Sequence, residues 1–442
     1  MARYGVIVLS LCAFVSSFSP VFSVAQSSKP EPMPALRRQQ AQQALRDAME
    51  VLKKQYYDPT YHGIDIQARL KQAEERLQSA NSLSEAFGVV AWYFEPLNDS
   101  HTFFLPPSRP FDIQRGWETR FIGNNCFITA VQQGSDAFTQ GLKPGDQVLA
   151  MEGFRPTRDT LWKMQYAFNG LAPRSAMHLA VASPGGQPRQ LQVKSTVIPL
   201  SQRVELETSY WSLVRRFQNL EQEGKLRWVE HGDVTVVKLP SFEFEDQKID
   251  DIIHAANNHH GLVLDLRGNP GGSEEVLAHL AGGLFDHEVK IADHVGRKDK
   301  KPLMAKSRGD HAFNGKMVVL VDAGSASAAE MFARTVQIEK RGVVMGDRSS
   351  GSVMAARIFP YHQGEVGEFD YDFEVTVADV VMSDGKSLEH VGVTPDEMIL
   401  PTAEDMAAGR DPVLARAVEA AGGKLSPEDA GKMFPVIWHK PL

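Results

Sequence analysis

Cysteine, long apolar runs and basic clusters are what this chain has least of, and each shortage excludes something. Of two cysteines in 442 residues, Cys12 lies in an N-terminal apolar stretch and Cys126 has no partner left, so no internal disulfide braces the fold. Beyond that stretch no run reaches about 18 apolar residues, which argues against a stable membrane anchor. The 47 lysines and arginines are outnumbered by 55 aspartates and glutamates, giving a formal net charge of -8, and they form no cluster. Nucleic acid is therefore not an expected partner, and protein or peptide substrates remain open. There is no His-Glu-x-x-His pattern, and His259-His260 reads as a polar turn before an apolar strand. Neither a metal nor a cofactor is expected.

What is present begins with a leader. Arg3, the apolar run VIVLSLCAFV at 6–15 and the small-x-small pattern Ser23-Val24-Ala25 read as a secretory signal over 1–25, so the protein is expected to be exported and to act in the periplasm or outside the cell. A linker and helical module follow over 26–112, with Leu45, Ala48, Met49, Leu52 and Tyr56 at helical spacing and further helices near 66–77 and 83–94. The module ends in the polar insertion Asn98-Asp99-Ser100-His101-Thr102, followed by Pro106, Pro107 and Pro110. Short strands and turns then fill 113–198. Apolar strands alternate with amphipathic helices over 199–402, the order of a mostly parallel α/β core, with the strand at 317–321 feeding a helix at 326–336. A tail at 403–442 holds a helix between Asp411-Pro412 and Gly422, which reads as packing rather than as a site.

Two loops of the α/β stretch stand out because each follows an apolar strand and opens a helix. Asp265-Leu266-Arg267-Gly268-Asn269-Pro270-Gly271-Gly272 exposes backbone N–H groups that can face a developing negative charge, as an oxyanion hole requires. It lacks the Lys-Ser/Thr of a phosphate loop, and by itself it also fits a simple turn. Asp322-Ala323-Gly324-Ser325-Ala326-Ser327-Ala328-Ala329-Glu330 places serines at a helix start, where the helix dipole stabilises an alkoxide and the Ala328 N–H can meet an oxyanion. Helix capping by Ser325 or Ser327 explains the same residues.

Ile128-Thr129-Ala130-Val131 followed by GLKPGDQVLAMEG at 141–153 resembles the most recognisable part of a PDZ domain, a fold that adds an extended peptide as a strand beside a groove. Its expected carboxylate-binding loop is Arg120-Phe121-Ile122-Gly123. With DLRGNPGG at 265–272, GSASAAE at 324–330 and GVTPD at 392–396, the chain resembles the tail-specific, or C-terminal processing, protease family over nearly all its length after the leader. The resemblance implies a fold of three parts: an N-terminal helical module, a PDZ-like β domain and a crotonase/ClpP-like α/β protease core. It also implies Ser327 as nucleophile, with Ala328 and Gly271 or Gly272 as oxyanion donors.

One departure from that pattern is decisive for the base. Many members use a lysine, but Ser352 stands in its place and no lysine occurs between Lys340 and Lys386. The tricorn-type branch instead uses a histidine beside a serine in an N-terminal loop and a distant glutamate, which falls on His101, Ser100 and Glu389, with His390 and Asp384 as nearby rivals to Glu389. A neutral histidine can take the serine proton near pH 7. The implied activity is an exported serine endopeptidase acting on unfolded proteins or free C-termini. Because the lysine is missing, a non-catalytic binder of peptides or of lipophilic ligands on the same fold is the alternative.

Overall fold

The computed structural model describes residues 33–199, 224–365 and 368–438. The leader and the linker up to residue 32 lie outside the described residues. The helices Ala35–Gln55, Ile66–Gln78 and Leu83–Phe94 form the expected module. Asp65 caps the second by accepting from the Gln67 and Ala68 N–H groups, and Ser82 caps the third by accepting from Glu85 N–H. The buried stripe Leu45, Ala48, Leu52 and Tyr56 of the first helix faces the other two.

Strand β1 (Phe103–Leu105) leaves this module, and β2 (Phe111–Gln114) pairs antiparallel with β8 (Thr196–Pro199), closing off the stretch between them. Inside lies a five-stranded antiparallel sheet in the order β3 (Trp117–Ile122), β4 (Asn125–Val131), β5 (Gln147–Met151), β6 (Ala176–Ala182) and β7 (Arg189–Lys194). A helical segment, Leu161–Gln165 continued by Tyr166–Leu171, contributes Leu161 to the core of this sheet. Among the described residues β3 pairs on one edge alone.

The core sheet runs β18-β15-β14-β11-β10-β9, from β9 (Arg227–His231), β10 (Val234–Lys238), β11 (Gly261–Asp265), β14 (Lys316–Val321), β15 (Val343–Gly346) and β18 (Glu397–Met398). All neighbours are parallel except β9. Its strands read as unbroken apolar runs because both faces are covered. Leu262, Leu264, Val319 and Val321 meet the helices Asp246–Asn257, Glu274–Leu284 and Ala328–Ile338 on one side. Val263, Val318 and Leu320 meet Val413, Leu414 and Val418 of Pro412–Ala420 on the other. The helix expected from residue 326 begins two residues later, because Ser327 takes a positive φ of 53° that a right-handed helix does not accommodate.

A second sheet was not foreseen in the sequence. β17 (Asp370–Met382) pairs antiparallel with β16 (Met354–His362) along one edge, and with β1 and then β12 (Val289–Gly296) along the other; β12 pairs onward with β13 (Lys300–Ala305). Arg, Lys, Pro and His interrupt these strands, and register shifts at 290/292 and 355/356 break the period-2 pattern that would reveal them. The strand β17 serves two cores: Val380 and Met382 lie with the protease-side helices, whereas Tyr371, Phe373 and Val375 lie with the N-terminal module.

Phe373 is fully buried against Phe94 and Phe104, at ring-centroid distances of 5.6 and 5.8 Å. Phe373→Ala is expected to cost about 3–5 kcal/mol, read as a lowered denaturant midpoint. A loss below about 1 kcal/mol would show that the module does not depend on this contact.

Candidate active site

The ends of β11, β14 and β15 lie side by side, and the loops leaving them build one site, as the crevice beyond the carboxyl ends of parallel strands favours. Ser327 occupies the start of the helix Ala328–Ile338 with φ 53° and ψ -120°. A positive φ at a residue with a side chain costs on the order of 1–3 kcal/mol, so neighbours must impose it. They do so through the backbone: Ser327 N–H donates to Ser352 O, Ala326 N–H to Asn269 O and Ser350 N–H to Ser325 O, each at 2.9 Å.

Ser325 is fully buried and is not a helix cap. Its hydroxyl donates to Leu266 O at 2.8 Å and accepts from Asp322 N–H at 2.9 Å, tying the two loops together. Glu330, three residues into the helix, is also fully buried, and its carboxylate accepts from Ser327 N–H, Ser349 Oγ–H, Gly351 N–H and Ser352 N–H. Burial pushes its pKa up to about 7 against those four donors. The Ser-x-x-Glu spacing at 327–330 is a capping-box pattern and was the available signal for it.

The oxyanion candidates divide. The Gly271 N–H is already held by Asn269 Oδ1 at 2.8 Å, so it is not free to bind a second acceptor. No hydrogen bond among the described residues takes the Gly272 or Ala328 N–H. Both glycines are obligatory in space and conformation: a Cβ on Gly271 (φ 105°) would lie 2.7 Å from Ser327 Cβ, and one on Gly272 (φ 143°) 2.5 Å from Phe242 O.

The histidine arrives from far away in sequence. His101 and Ser327 line the same cleft of about 1100 Å³. Among the described residues no hydrogen bond joins them, nor does any lysine bond to Ser327. His101 Nδ1 lies 2.7 Å from Ser100 Oγ, and Ser100 Oγ lies 2.9 Å from Glu389 Oε2. A carboxylate only accepts, so the single Ser100 hydroxyl proton points to Glu389, and Ser100 Oγ must accept from His101 Nδ1–H. That leaves the lone pair on Nε2. Glu389 also accepts from Ser100 N–H and Val353 N–H, at 2.9 and 2.8 Å, which fixes its orientation.

The loop around His101 is braced by its own residues and by Thr376, which the sequence did not single out. Asp99 accepts from His101 N–H at 2.9 Å and from Thr376 Oγ1–H at 2.7 Å. His390 Nε2 donates to Asn98 O at 2.7 Å, and Asp384 is engaged by Arg334, so neither competes with Glu389 for Ser100. His101 is 8% exposed, and burial lowers its pKa below the usual 6.5 despite the raising fields of Glu389 and Asp99.

The expected carboxylate-binding loop is corrected. Arg120, Phe121 and Ile122 are the end of strand β3, Phe121 is buried in that sheet's core, and only Gly123 lies in the turn. Arg120 is paired with Asp322, while Asp347 accepts from Gly123 N–H at 2.8 Å and from Arg158. These groups brace the 113–198 region against the core instead of forming a vacant anion site, a cross-domain pairing invisible in sequence.

The comparisons with known proteins agree with this architecture. Residues 233–399 match the model of Peptidase family S41, and residues 37–91 match that of the Tricorn protease C1 domain. The C-terminal processing peptidase, chloroplastic, of Tetradesmus obliquus is 24% identical over 84% of this chain and 79% of its own length. The Carboxyl-terminal-processing protease of Synechocystis sp. is 24% identical, over 83% and 82%. The crystal structure of mature CPAF shares the fold with a TM-score of 0.63 at 16% identity, covering 84% of this chain and 95% of that one.

Because the Glu389 charge raises the pKa of His101, Glu389→Gln is expected to lower it further below 6.5. NMR titration of the imidazole checks this, and an unchanged or higher value in the variant would contradict the Ser100 bridge.

Proposed function

We propose that the chain, a serine peptidase similar to family S41 and to carboxyl-terminal-processing proteases, is exported and cuts unfolded or tail-exposed proteins with Ser327 as nucleophile and His101 as base. The observation that carries this reading is the Glu389–Ser100–His101 chain, which leaves the Nε2 lone pair available in the cleft that Ser327 also lines. Export rests on the leader pattern at 1–25. Among the described residues no helix is long and apolar enough to cross a membrane.

In this mechanism Ser327 Oγ attacks the scissile carbonyl carbon while its proton passes to His101 Nε2. The developing oxyanion sits between the Ala328 and Gly272 N–H groups, at the positive end of the helix Ala328–Ile338. Collapse of the tetrahedral species breaks the C–N bond, and the amine leaves with the proton from His101. Water then attacks the acyl ester through the same base and releases Ser327. Imidazolium is stabilised through Ser100 by the Glu389 charge, so the glutamate orients and balances the base without taking its proton. Since no hydrogen bond joins the two among the described residues, base and nucleophile come into contact when substrate binds, as catalytic pairs often tighten with ligand.

Peptide capture is supported by the 113–198 region, whose resemblance to a PDZ domain rests on its strand and turn pattern. The edge of β3 and the helical segment at 161–171 border a cleft of about 670 Å³ lined by Thr119, Phe121, Trp162 and Gln165, which continues to Ser100, Ala326 and Ser352. An extended chain end added beside β3 would therefore lead toward the nucleophile turn.

Ser327→Ala and His101→Ala are each expected to lower kcat/KM on casein-derived peptides by roughly 10⁴-fold or more and to abolish labelling by a fluorophosphonate probe. Labelling that survives Ser327→Ala would overturn the assignment. Because neutral His101 is the active form and its pKa lies below 6.5, kcat/KM should hold down through pH 6.5 and fall below it. An acid limb that does not follow the NMR titration of His101 would contradict its role as base.

A further inference from the structure

The cleft that holds Ser327 and His101 is lined by charged side chains of both signs. Part of its lining comes from the turn between β12 and β13, residues 297–299, and from β16. Five cationic side chains line it: Lys54, Arg297, Lys298, Lys301 and Arg357. Three of them are already engaged. Arg297 donates to the carbonyls of Leu52, Lys53 and Tyr56 at the end of the first helix, Lys301 pairs with Asp299 at 2.8 Å, and Lys54 pairs with Glu50 at 3.6 Å.

Lys298 and Arg357 are both exposed, and among the described residues neither has an ion pair or hydrogen bond. Arg357 acts on the turn that carries Lys298: after the larger effect of Lys301, its field contributes to holding the Asp299 carboxyl below its usual range. Five carboxylates line the same cleft, Glu243, Glu274, Glu275, Asp299 and Glu374, and each has a partner of its own. Glu274 faces His294 at 3.0 Å, and Glu275 accepts from Ser273 Oγ–H at 2.5 Å. A chain of net charge -8 thus keeps, at the cleft that Ser327 lines, two exposed cations with no hydrogen bond or ion pair among the described residues.

The edge of β16 away from β17 is unpaired among the described residues. An extended substrate alongside it would advance about 3.3 Å per residue through the cleft that Lys298 and Arg357 line together with Ser327. We propose that Lys298 and Arg357 make this cleft selective for acidic segments, binding aspartate or glutamate side chains near the cleaved bond. The inference rests on Ser327 being the nucleophile of that cleft. Both cations are exposed, so the pairing is salt-sensitive, and it acts on binding more than on the chemical step.

The test compares two peptides of one sequence, bearing either glutamates or lysines in the positions flanking the cut bond, with the full-length mature protein. At low salt the glutamate peptide is expected to have a kcat/KM about three- to tenfold higher, mainly through KM, and the advantage should shrink at about 1 M salt, where screening acts over ~3 Å. K298E/R357E should invert the ratio, whereas K298R/R357K should keep it, with melting curves confirming that both variants are folded. Equal cleavage of the two peptides by wild-type enzyme that labels with fluorophosphonate would overturn the inference and leave the Ser327 reading standing. Failure of folded wild type to label at all would overturn both.

Discussion

Ser327 stands in a backbone conformation that its side chain disfavours, and much of the surrounding structure can be read as what holds it there. The turn is clamped from two directions. Asn269 and Leu266 reach it from the loop after β11, and Ser350 and Ser352 from the loop after β15. Glu330 then gathers the second loop from beneath, accepting four hydrogen bonds in a fully buried position. Such a network is stable only when every member is satisfied, because a buried carboxylate that loses a donor keeps its desolvation cost. The outcome is a serine presented at the positive end of a helix, beside two N–H groups that no acceptor takes among the described residues.

The second sheet solves a different problem, that of bringing a base to this turn from the other end of the chain. His101 lies in the loop between the helical module and the strand β1, which pairs with β17, and Thr376 of β17 holds Asp99 two residues before the histidine. Glu389 follows β17 in sequence and is oriented by Val353 N–H, at the entry to β16. One long strand therefore fixes the spacing between the module, the base and the orienting carboxylate. Its mixed burial, with aromatic residues on the module side and aliphatic ones near the core helices, makes the two cores mutually dependent.

The 113–198 region is tied to the same loops. Asp322, paired with Arg120, also accepts from Gly268 and Gly324 N–H groups at 2.8 and 2.9 Å, so one carboxylate joins that region to both the glycine loop and the serine loop. Asp347, held by Arg158 and Gly123, does the same for the loop after β15. Charges buried at such a boundary are costly unless paired, which locks the relative placement of the parts more than it adds stability.

Much of this was readable in order along the chain. The helices of the module, the strands of the parallel sheet and the two site-building loops follow from local rules: helical spacing of apolar residues, unbroken apolar runs for strands covered on both faces, and glycines where only glycine can turn. The serine and histidine candidates came instead from the resemblance to a protease family, since local rules by themselves explain the serines at 325 and 327 as helix caps. What the sequence could not determine was anything that depends on partners hundreds of residues apart. The antiparallel sheet was hidden by bulges and charged edge residues, Arg120 looked like part of an anion-binding loop until Asp322 was found beside it, and Gly271 and Gly272 became distinguishable only once Asn269 was seen to occupy one of their N–H groups. Local propensity reports the conformation a segment prefers; which hydrogen-bonding groups remain free for chemistry is settled only when tertiary contacts have taken the others.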